Sequence, residues 1–321
     1  MFKTPQFWYK AATWQSILLY PFSLIIQFIG FIRTKIVKPA RLPIPVICIG
    51  NIVTGGAGKT PTCIALAKIL KTYKNPVFLT KGYGGSIEKP TLVDHQNFTE
   101  VGDEPLILAS ILPTWVAKNR VEGADAAINN GADSLILDDG FQNPGLVKDL
   151  SFLVIDGHQG VGNEFILPAG PLRESLDRAM HRADAVVILN EDMHNISQLI
   201  KKYDKPLFTG MFHPEKETIE RLKDKQIVSF AGLGYPQKFF SMLQKYNLNV
   251  VDTVSFPDHY PYTIQDIESL KQRAGSKTLV TTRKDMIKIP QQCRNNIEVI
   301  DIELIFDQPK EIEKFVREKI I

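Results

Sequence analysis

The stretch from Pro45 to Pro61, PVICIGNIVTGGAGKTP, constrains this chain more than any other. An apolar, β-leaning run ends in a glycine-rich loop, and the loop ends in Lys59-Thr60. The spacing predicts a helix from Pro61 to Leu70 immediately afterwards. Strand, glycine loop, Lys-Thr and helix in that order make a phosphate cradle. Thr54, Gly55, Gly56, Ala57 and Gly58 form the loop, whose glycines let backbone N–H groups approach phosphate oxygens. Lys59 can reach the β- and γ-phosphates, and the Thr60 hydroxyl can ligate Mg²⁺. Pro61 fits at a helix start, where N–H groups are spare. The usual G-x-x-x-x-G-K-[ST] spacing asks for glycine where this chain has Val53, so the loop matches a GGxGKT variant.

With 321 residues the chain has room for two domains or one large one. A net charge of +3 is too weak to argue for nucleic acid as the main partner. Cys48, Cys63 and Cys293 form no C-x-x-C pattern. Cys48, in the presumed first strand, and Cys63, in the following helix, read as buried thiols, which suits a reducing compartment and argues against a zinc site.

The N-terminus differs from the rest. Ile17 to Ile32 carries no charged residue, and Arg33, Lys35, Lys38 and Arg41 follow it. As a helix it spans about 24 Å, short of the roughly 30 Å hydrocarbon core of a bilayer. Pro21 bends or breaks it near its start. Ser16, Ser23, Gln27 and Thr34 fall on one helical face. A narrow polar stripe on a greasy helix, followed by cations, suggests a segment lying in or dipping into a membrane surface. The competing reading is a core helix that covers a sheet.

Beyond the cradle, apolar strands alternate with helices at Val77 to Thr80, Thr114 to Ala117, Ser134 to Leu137, Phe152 to Ile155 and Val186 to Leu189. Such continuous apolar runs imply a mainly parallel sheet covered by helices on both faces. Ligands bind outside the carboxyl ends of such strands, where the Thr54 to Thr60 loop, Lys81 to Gly85 and Asp138-Asp139 all lie. A second α/β series starts near Pro206, with strands at Ile227 to Phe230, Val250 to Val254, Leu279 to Thr281 and Ile297 to Ile300. Helices are expected there at Phe239 to Tyr246, Ile264 to Arg273 and Pro309 to Lys319, and Glu215 to Lys225 reads as a surface connection. The expected organisation is a membrane-associating helix over 1–40, a P-loop domain over 41–205, and a smaller α/β domain over 206–321 that closes over the site.

Five further patterns are candidates to carry chemistry. Leu135 to Asp139 is an apolar strand that delivers carboxylate, as a Walker-B strand delivers it to Mg²⁺; one of Asp138 and Asp139 could equally be a cap. Asp103 could accept the proton of an attacking hydroxyl and Glu104 could hold metal or substrate, or both could serve only the start of the next helix. Phe256 to Pro261 puts His259 beside Asp258 in a proline-bounded loop; if the second domain closes, His259 could meet Asp103, otherwise it is a surface turn. Arg173 follows the rigid LPAGPL run and could stabilise transferred phosphoryl charge, or simply pair with Glu174. Thr281 to Asp285 could contact nucleotide, though helix capping is the better reading of its spacing.

Taken together the chain resembles the lipid A 4′-kinase family (tetraacyldisaccharide 4′-kinase). The matching pieces are GNIVTGGAGKTP at Gly50 to Pro61, KGYGG at Lys81 to Gly85, VGDEP at Val101 to Pro105 and DDGFQ at Asp138 to Gln142. LPAGPLRES at Leu167 to Ser175, FAGLG at Phe230 to Gly234, FPDH at Phe256 to His259 and TTRKD at Thr281 to Asp285 complete them, in the family's order. The resemblance implies transfer of the ATP γ-phosphoryl to the 4′-hydroxyl of an acylated glucosamine disaccharide 1-phosphate, on the cytoplasmic face of a Gram-negative inner membrane. It assigns Thr54 to Pro61 to ATP, Asp103 to the general base with His259 in support, and Arg173 to charge neutralisation. It places Glu104, Asp138, Asp139 and Gln142 with Thr60 in the metal and phosphate site.

Two positions depart from that pattern. Asn143 stands where the family commonly has histidine after DDGFQ, and Lys81 stands where arginine is more usual. The expected partners are the acylated disaccharide and a membrane leaflet, with no nucleic acid and no obligate protein partner. The rival reading is a membrane-docked P-loop nucleotide switch or metallochaperone-type ATPase, which shares the loop variant but has no need of Asp103 or of Asp258-His259.

Overall fold

The computed structural model describes residues 5–320. After a single turn at Gln6–Tyr9, the first long element is α1 (Trp14–Ile36), capped by the Thr13 side chain. The cradle follows as β1 (Val46–Gly50) and α2 (Lys59–Leu70). Next come β2 (Pro76–Thr80), β3 (Thr91–Leu92), α3 (Phe98–Val101), α4 (Asp103–Ala109) and β4 (Thr114–Val116). The alternation continues through α5 (Arg120–Asn129), β5 (Ser134–Asp138), β6 (Leu150–Asp156), α6 (Leu176–Arg182), β7 (Ala185–Leu189), α7 (Ile196–Ile200) and β8 (Leu207–Pro214).

These strands form a nine-stranded sheet in the order β13-β8-β7-β6-β1-β5-β2-β4-β3, where β13 is Ile302–Phe306. Every pairing from β8 to β4 is parallel, and only the edge strands β13 and β3 run antiparallel. The central strands β1, β2, β5, β6 and β7 are buried along their whole length, as strands covered on both faces must be. One face packs Ala124, Met180 and Ile196 from α5, α6 and α7. The other packs Leu66 and Leu108 from α2 and α4.

A separate four-stranded parallel sheet is built from α8 (Lys216–Leu222), β9 (Gln226–Ala231), α9 (Pro236–Lys245), β10 (Asn249–Ser255), α10 (Ile264–Ala274), β11 (Thr278–Thr282), α11 (Arg283–Lys288) and β12 (Ile297–Ile300). Its strand order is β10-β9-β11-β12. Phe239, Phe240 and Leu243 cover one face, while Ile267, Leu270 and Met286 cover the other.

Sheet membership differs from the boundary expected at residue 206. β8 belongs to the large sheet, and β13 returns to pair with it. The last helix, α12 (Pro309–Ile320), buries Ile312, Val316 and Ile320 against Phe152 and Phe208 of the large sheet. The small unit is therefore an insertion between β8 and β13. The sequence put the last helix in the second series because it follows those strands directly, whereas its docking partners on β6 and β8 lie far upstream. The expected surface connection after Glu215 is helix α8, with Thr218 and Leu222 buried.

α1 lies against the large unit with its polar stripe turned inward. Ser16 and Ser23 are buried; Ser23 Oγ donates to the Ile166 carbonyl at 2.7 Å and accepts from Ala169 N, and Asn163 Nδ2 donates to Ser16 Oγ. Arg178 Nη2 donates to Thr34 Oγ1. Ile17, Leu18, Phe22, Ile25, Phe28, Ile29 and Ile36 face outward and exposed. This is the reverse of a core helix, so the reading as a cover for the sheet does not hold. One helix of the described chain is long and apolar enough to cross a membrane, and it is this one.

Candidate active site

The cradle begins where β1 ends. Gly58 is the N-cap of α2 with φ of +83°, a left-handed conformation that favours glycine. A Cβ there would also lie 2.4 Å from Leu189 Cδ1 and 2.9 Å from Phe212 Cζ, so both backbone and packing select glycine. Gly55 is left-handed as well, and Ala57 is buried. Thr54 is tied to the neighbouring 167–173 loop, its N–H donating to the Pro171 carbonyl at 2.9 Å. Pro61 lies in the first turn of α2, as expected.

Two charge sets converge at the mouth of this loop. In the first, the Thr60 hydroxyl donates to Asp138 Oδ2 at 3.0 Å, and the Cys63 thiol sits 3.6 Å from the other carboxylate oxygen. Burial, with Glu104 adding like charge, pushes the Asp138 carboxyl up to about 6. A cation would relieve that cost, and the donor set is hydroxyl and carboxylate oxygen, which suits Mg²⁺. Among the described residues no group of three His, Cys, Asp or Glu side chains could hold an ion by itself. That too fits Mg²⁺, which commonly takes one or two carboxylates and completes its shell from phosphate and water.

In the second set, Asp139 sits between two cations. Arg173 Nη1 donates to both of its oxygens, at 2.9 and 3.1 Å, and Lys59 Nζ lies 3.8 Å from Oδ1. Asp139 holds a left-handed φ of +51°, which turns its side chain away from that of Asp138. Arg173 therefore does not pair with Glu174, whose carboxylate is engaged by Arg182 and Gln142. Neither aspartate serves as a helix cap. Gln142 donates its amide to the Asn51 carbonyl at 2.8 Å and to Glu174, so that nitrogen joins the start of the cradle to the 173–174 segment. Asn143 lies further off: its side chain caps the Gly145 N–H, and it lines a cavity beside Arg33 and Asn119. Lys81 is exposed past the end of β2.

Asp103 opens α4, yet the N-cap position belongs to Gly102, whose φ of +89° and close approach to the Tyr83 carbonyl exclude a side chain. The Asp103 carboxylate is thus free of capping and accepts a 2.8 Å hydrogen bond from His259 Nδ1. His259 belongs to the loop after β10, so this contact joins the two sheets. Burial pushes the Asp103 carboxyl up, but the His259 hydrogen bond and the nearby Lys288 and Lys284 outweigh it, and the net direction is down. The same hydrogen bond raises His259 above its ordinary value of 6.5, against partial desolvation. Thr282 caps α11 through Asp285 N, so the capping reading of that stretch holds.

Two residues at the site escaped sequence reasoning. Buried Arg120 donates to the carbonyls of Leu79, Asp138 and Asp139, fixing the turn that separates the two charge sets. An arginine at a helix start gives no sequence signal for such a bond. Asn51 is fully buried, donates to the Val53 carbonyl and accepts from Lys59 Nζ at 3.4 Å. A polar residue directly after a fully apolar strand was a usable signal.

Comparison with known proteins gives the family. The family model for tetraacyldisaccharide-1-P 4′-kinase matches residues 15–321. A tetraacyldisaccharide 4′-kinase of Gluconobacter oxydans is 42% identical over 98% of this chain and 97% of its own. One of Paramagnetospirillum magneticum is 41% identical over 96% and 95%. The crystal structure of an "apo" form of LpxK from Aquifex aeolicus, in complex with ATP, superposes with a TM-score of 0.80 at 27% identity, covering 95% of this chain and 99% of that one.

Proposed function

The chain belongs to the tetraacyldisaccharide-1-P 4′-kinase family, and from that premise we propose how its residues divide the work. The protein is an ATP-dependent kinase that phosphorylates the 4′-hydroxyl of an acylated glucosamine disaccharide 1-phosphate, a lipid A precursor. The observation that carries the mechanism is the Asp103–His259 contact, a carboxylate depressed in pKa and aligned by an imidazole from the other sheet.

Asp103 takes the proton from the 4′-hydroxyl as its oxygen attacks the γ-phosphorus. A bond forms between that oxygen and phosphorus, and the bond to the β,γ-bridging oxygen breaks, leaving ADP. His259 holds the carboxylate in line and, when protonated, balances its charge. Lys59 and Arg173, held in readiness by Asp139, turn to the transferring phosphoryl oxygens. Thr54 to Pro61 grip the nucleotide phosphates. Asp138 and Thr60, with Glu104 behind them, are the residues to hold Mg²⁺, which would neutralise β- and γ-oxygen charge when bound. Gln142 and Glu174 keep the cradle and the Arg173 loop in register. The small unit closes over the cradle for each turnover and excludes water.

In this reading α1 docks the site on the cytoplasmic leaflet of a bacterial inner membrane, and three features of the helix support it. Its outward face is apolar, its inward stripe is bonded to the body, and Arg33 and Lys35 follow at the interface. A phosphoryl-transfer assay with labelled ATP and the acylated disaccharide in detergent tests the reading. Labelled product is expected. ATP hydrolysis that needs a protein partner, with no lipid product, would favour the nucleotide switch instead.

A further inference from the structure

The small unit buries an ion pair for which the proposed chemistry has no direct use. Asp285 is fully buried and Lys288 is 3% exposed, with Nζ 3.1 Å from Asp285 Oδ1. Every polar atom of the pair is engaged. Asp285 Oδ1 also accepts from the Tyr262 hydroxyl at 3.0 Å and from Gly232 N at 3.0 Å, while Oδ2 accepts from Thr282 Oγ1 at 2.7 Å. Lys288 Nζ donates to the Gly232 carbonyl at 3.3 Å and lies 6.0 Å from the centre of the Tyr262 ring.

A buried ion pair is costly to desolvate and seldom adds stability over a well-packed apolar pair. Its best-attested use is to fix register, and the question is what this one registers. The answer lies in what its partners carry. Tyr262 is three residues past His259, and its ring packs on Phe230, Phe256 and Tyr260. Gly232 backs onto the other end of the same loop: a Cβ there would lie 3.0 Å from the Pro257 carbonyl, 3.0 Å from the Tyr262 hydroxyl and 3.1 Å from Asp285 Oδ1. The loop bearing His259 is therefore bonded to that carboxylate at Tyr262, and its other end abuts Gly232, whose N–H the same carboxylate holds. His259 itself holds a left-handed φ of +57°, so its ring direction depends on how those two ends are held. Finally, the helix that supplies Asp285 and Lys288 is α11, the element against which α4 packs, and α4 carries Asp103.

We propose that Asp285 and Lys288, with Tyr262, are positioning residues for phosphoryl transfer: one buried ion pair sets both the His259 loop and the seat of Asp103, and so holds the acid–base dyad in line before substrate arrives. The proposal rests on the reading of Asp103 and His259 as that dyad. The charged groups acting on Asp103 are His259 from its loop and Lys284 and Lys288 from α11.

The test is Lys288→Met in the full-length protein, read by steady-state kinetics and by the ring-nitrogen chemical shifts of His259. A tenfold or greater fall in kcat is expected, with KM for ATP unchanged and the His259 Nδ1 signal moved towards that of a free imidazole. Lys288→Arg should recover part of both. Wild-type kcat and an unmoved His259 signal, beside a lower melting temperature, would overturn the proposal by showing a purely structural ion pair. Where Lys288→Met fails to fold, Tyr262→Phe removes a single hydrogen bond and should show the same split at a smaller size, about threefold in kcat by the usual worth of one net hydrogen bond; no change in either readout overturns the proposal equally. Should Asp103→Asn retain wild-type turnover, the dyad reading fails, and the His259 signal then decides on its own whether the ion pair sets the loop.

Discussion

The two halves of the site are built in opposite ways. The cradle is local: Thr54 to Thr60, Asp138, Asp139 and Arg173 all sit at the carboxyl ends of strands in one sheet, and the cations there are already paired with carboxylate. The Asp103–His259 dyad is remote, joining residues 156 apart across two sheets through one hydrogen bond. The difference teaches where rigidity is wanted. In the proposed mechanism the phosphates are held by residues of one sheet, whereas proton removal rests on a contact that joins the two units. Breaking the small unit's hold should therefore cost chemistry and leave nucleotide binding, and damage to the cradle should cost both.

The largest expected effect lies in the cradle. Arg173→Ala should lower the single-turnover rate by roughly 10³-fold or more, the range of arginines that stabilise transferred phosphoryl charge. A loss under tenfold would mean that Arg173 only restrains Asp139. Asp103→Asn comes next, with turnover down on the order of 10²-fold and ATP affinity by titration kept. Loss of ATP affinity in that variant would break the division between the halves. Ile312→Val sharpens it from the packing side, costing about 1 kcal/mol of stability. The lost protection against amide exchange should appear in β6 and β8 and spare β9 to β12, because α12 docks on the large sheet.

The smallest effect is electrostatic. His259 should titrate above 6.5 in the native protein, and Asp103→Asn should bring it back down. Since the folded value is the raised one, the protonated imidazole's contribution to docking the units is fully present below 6.5 and is lost as pH rises through the folded value. An unchanged titration in Asp103→Asn would remove the ion pair as the link.

What could be read in the sequence follows the same division. The cradle was legible because its parts are adjacent in the chain: β1, the glycine loop and α2 stand where the order of residues puts them, α2 starting two residues before the expected Pro61. The central strands of the large sheet and the four of the small one were legible as short, mostly apolar runs, whereas β3, β8 and β13 were not read. The Asp103–His259 contact could be posed only as conditional on closure, and in the structure it is made. The Asp285–Lys288 fastening was invisible, since the pair and its partners Gly232 and Tyr262 come from three separate stretches of sequence. The polar stripe of α1 was legible and its direction was not. Spacing shows that Ser16, Ser23 and Thr34 share a face, but only the partners Asn163, Ile166 and Arg178 show that this face looks inward.

The insertion of the small unit between β8 and β13 also bears on the order in which the chain assembles. Its entry and exit lie side by side, with Glu215 N donating to the Asp301 carbonyl at 3.1 Å. Closing the large sheet at the β8–β13 edge from an unfolded chain would mean bringing together the ends of a long floppy segment, at an entropic cost that grows with its length. Once residues 215–301 have folded, their two ends are already neighbours and most of that cost is gone. The edge strand and α12 are then the last pieces to dock. In pulse-labelled hydrogen exchange during refolding, amides of β9 and β11 should become protected before those of β13, and the reverse order would show that the large sheet closes first and threads the insertion afterwards.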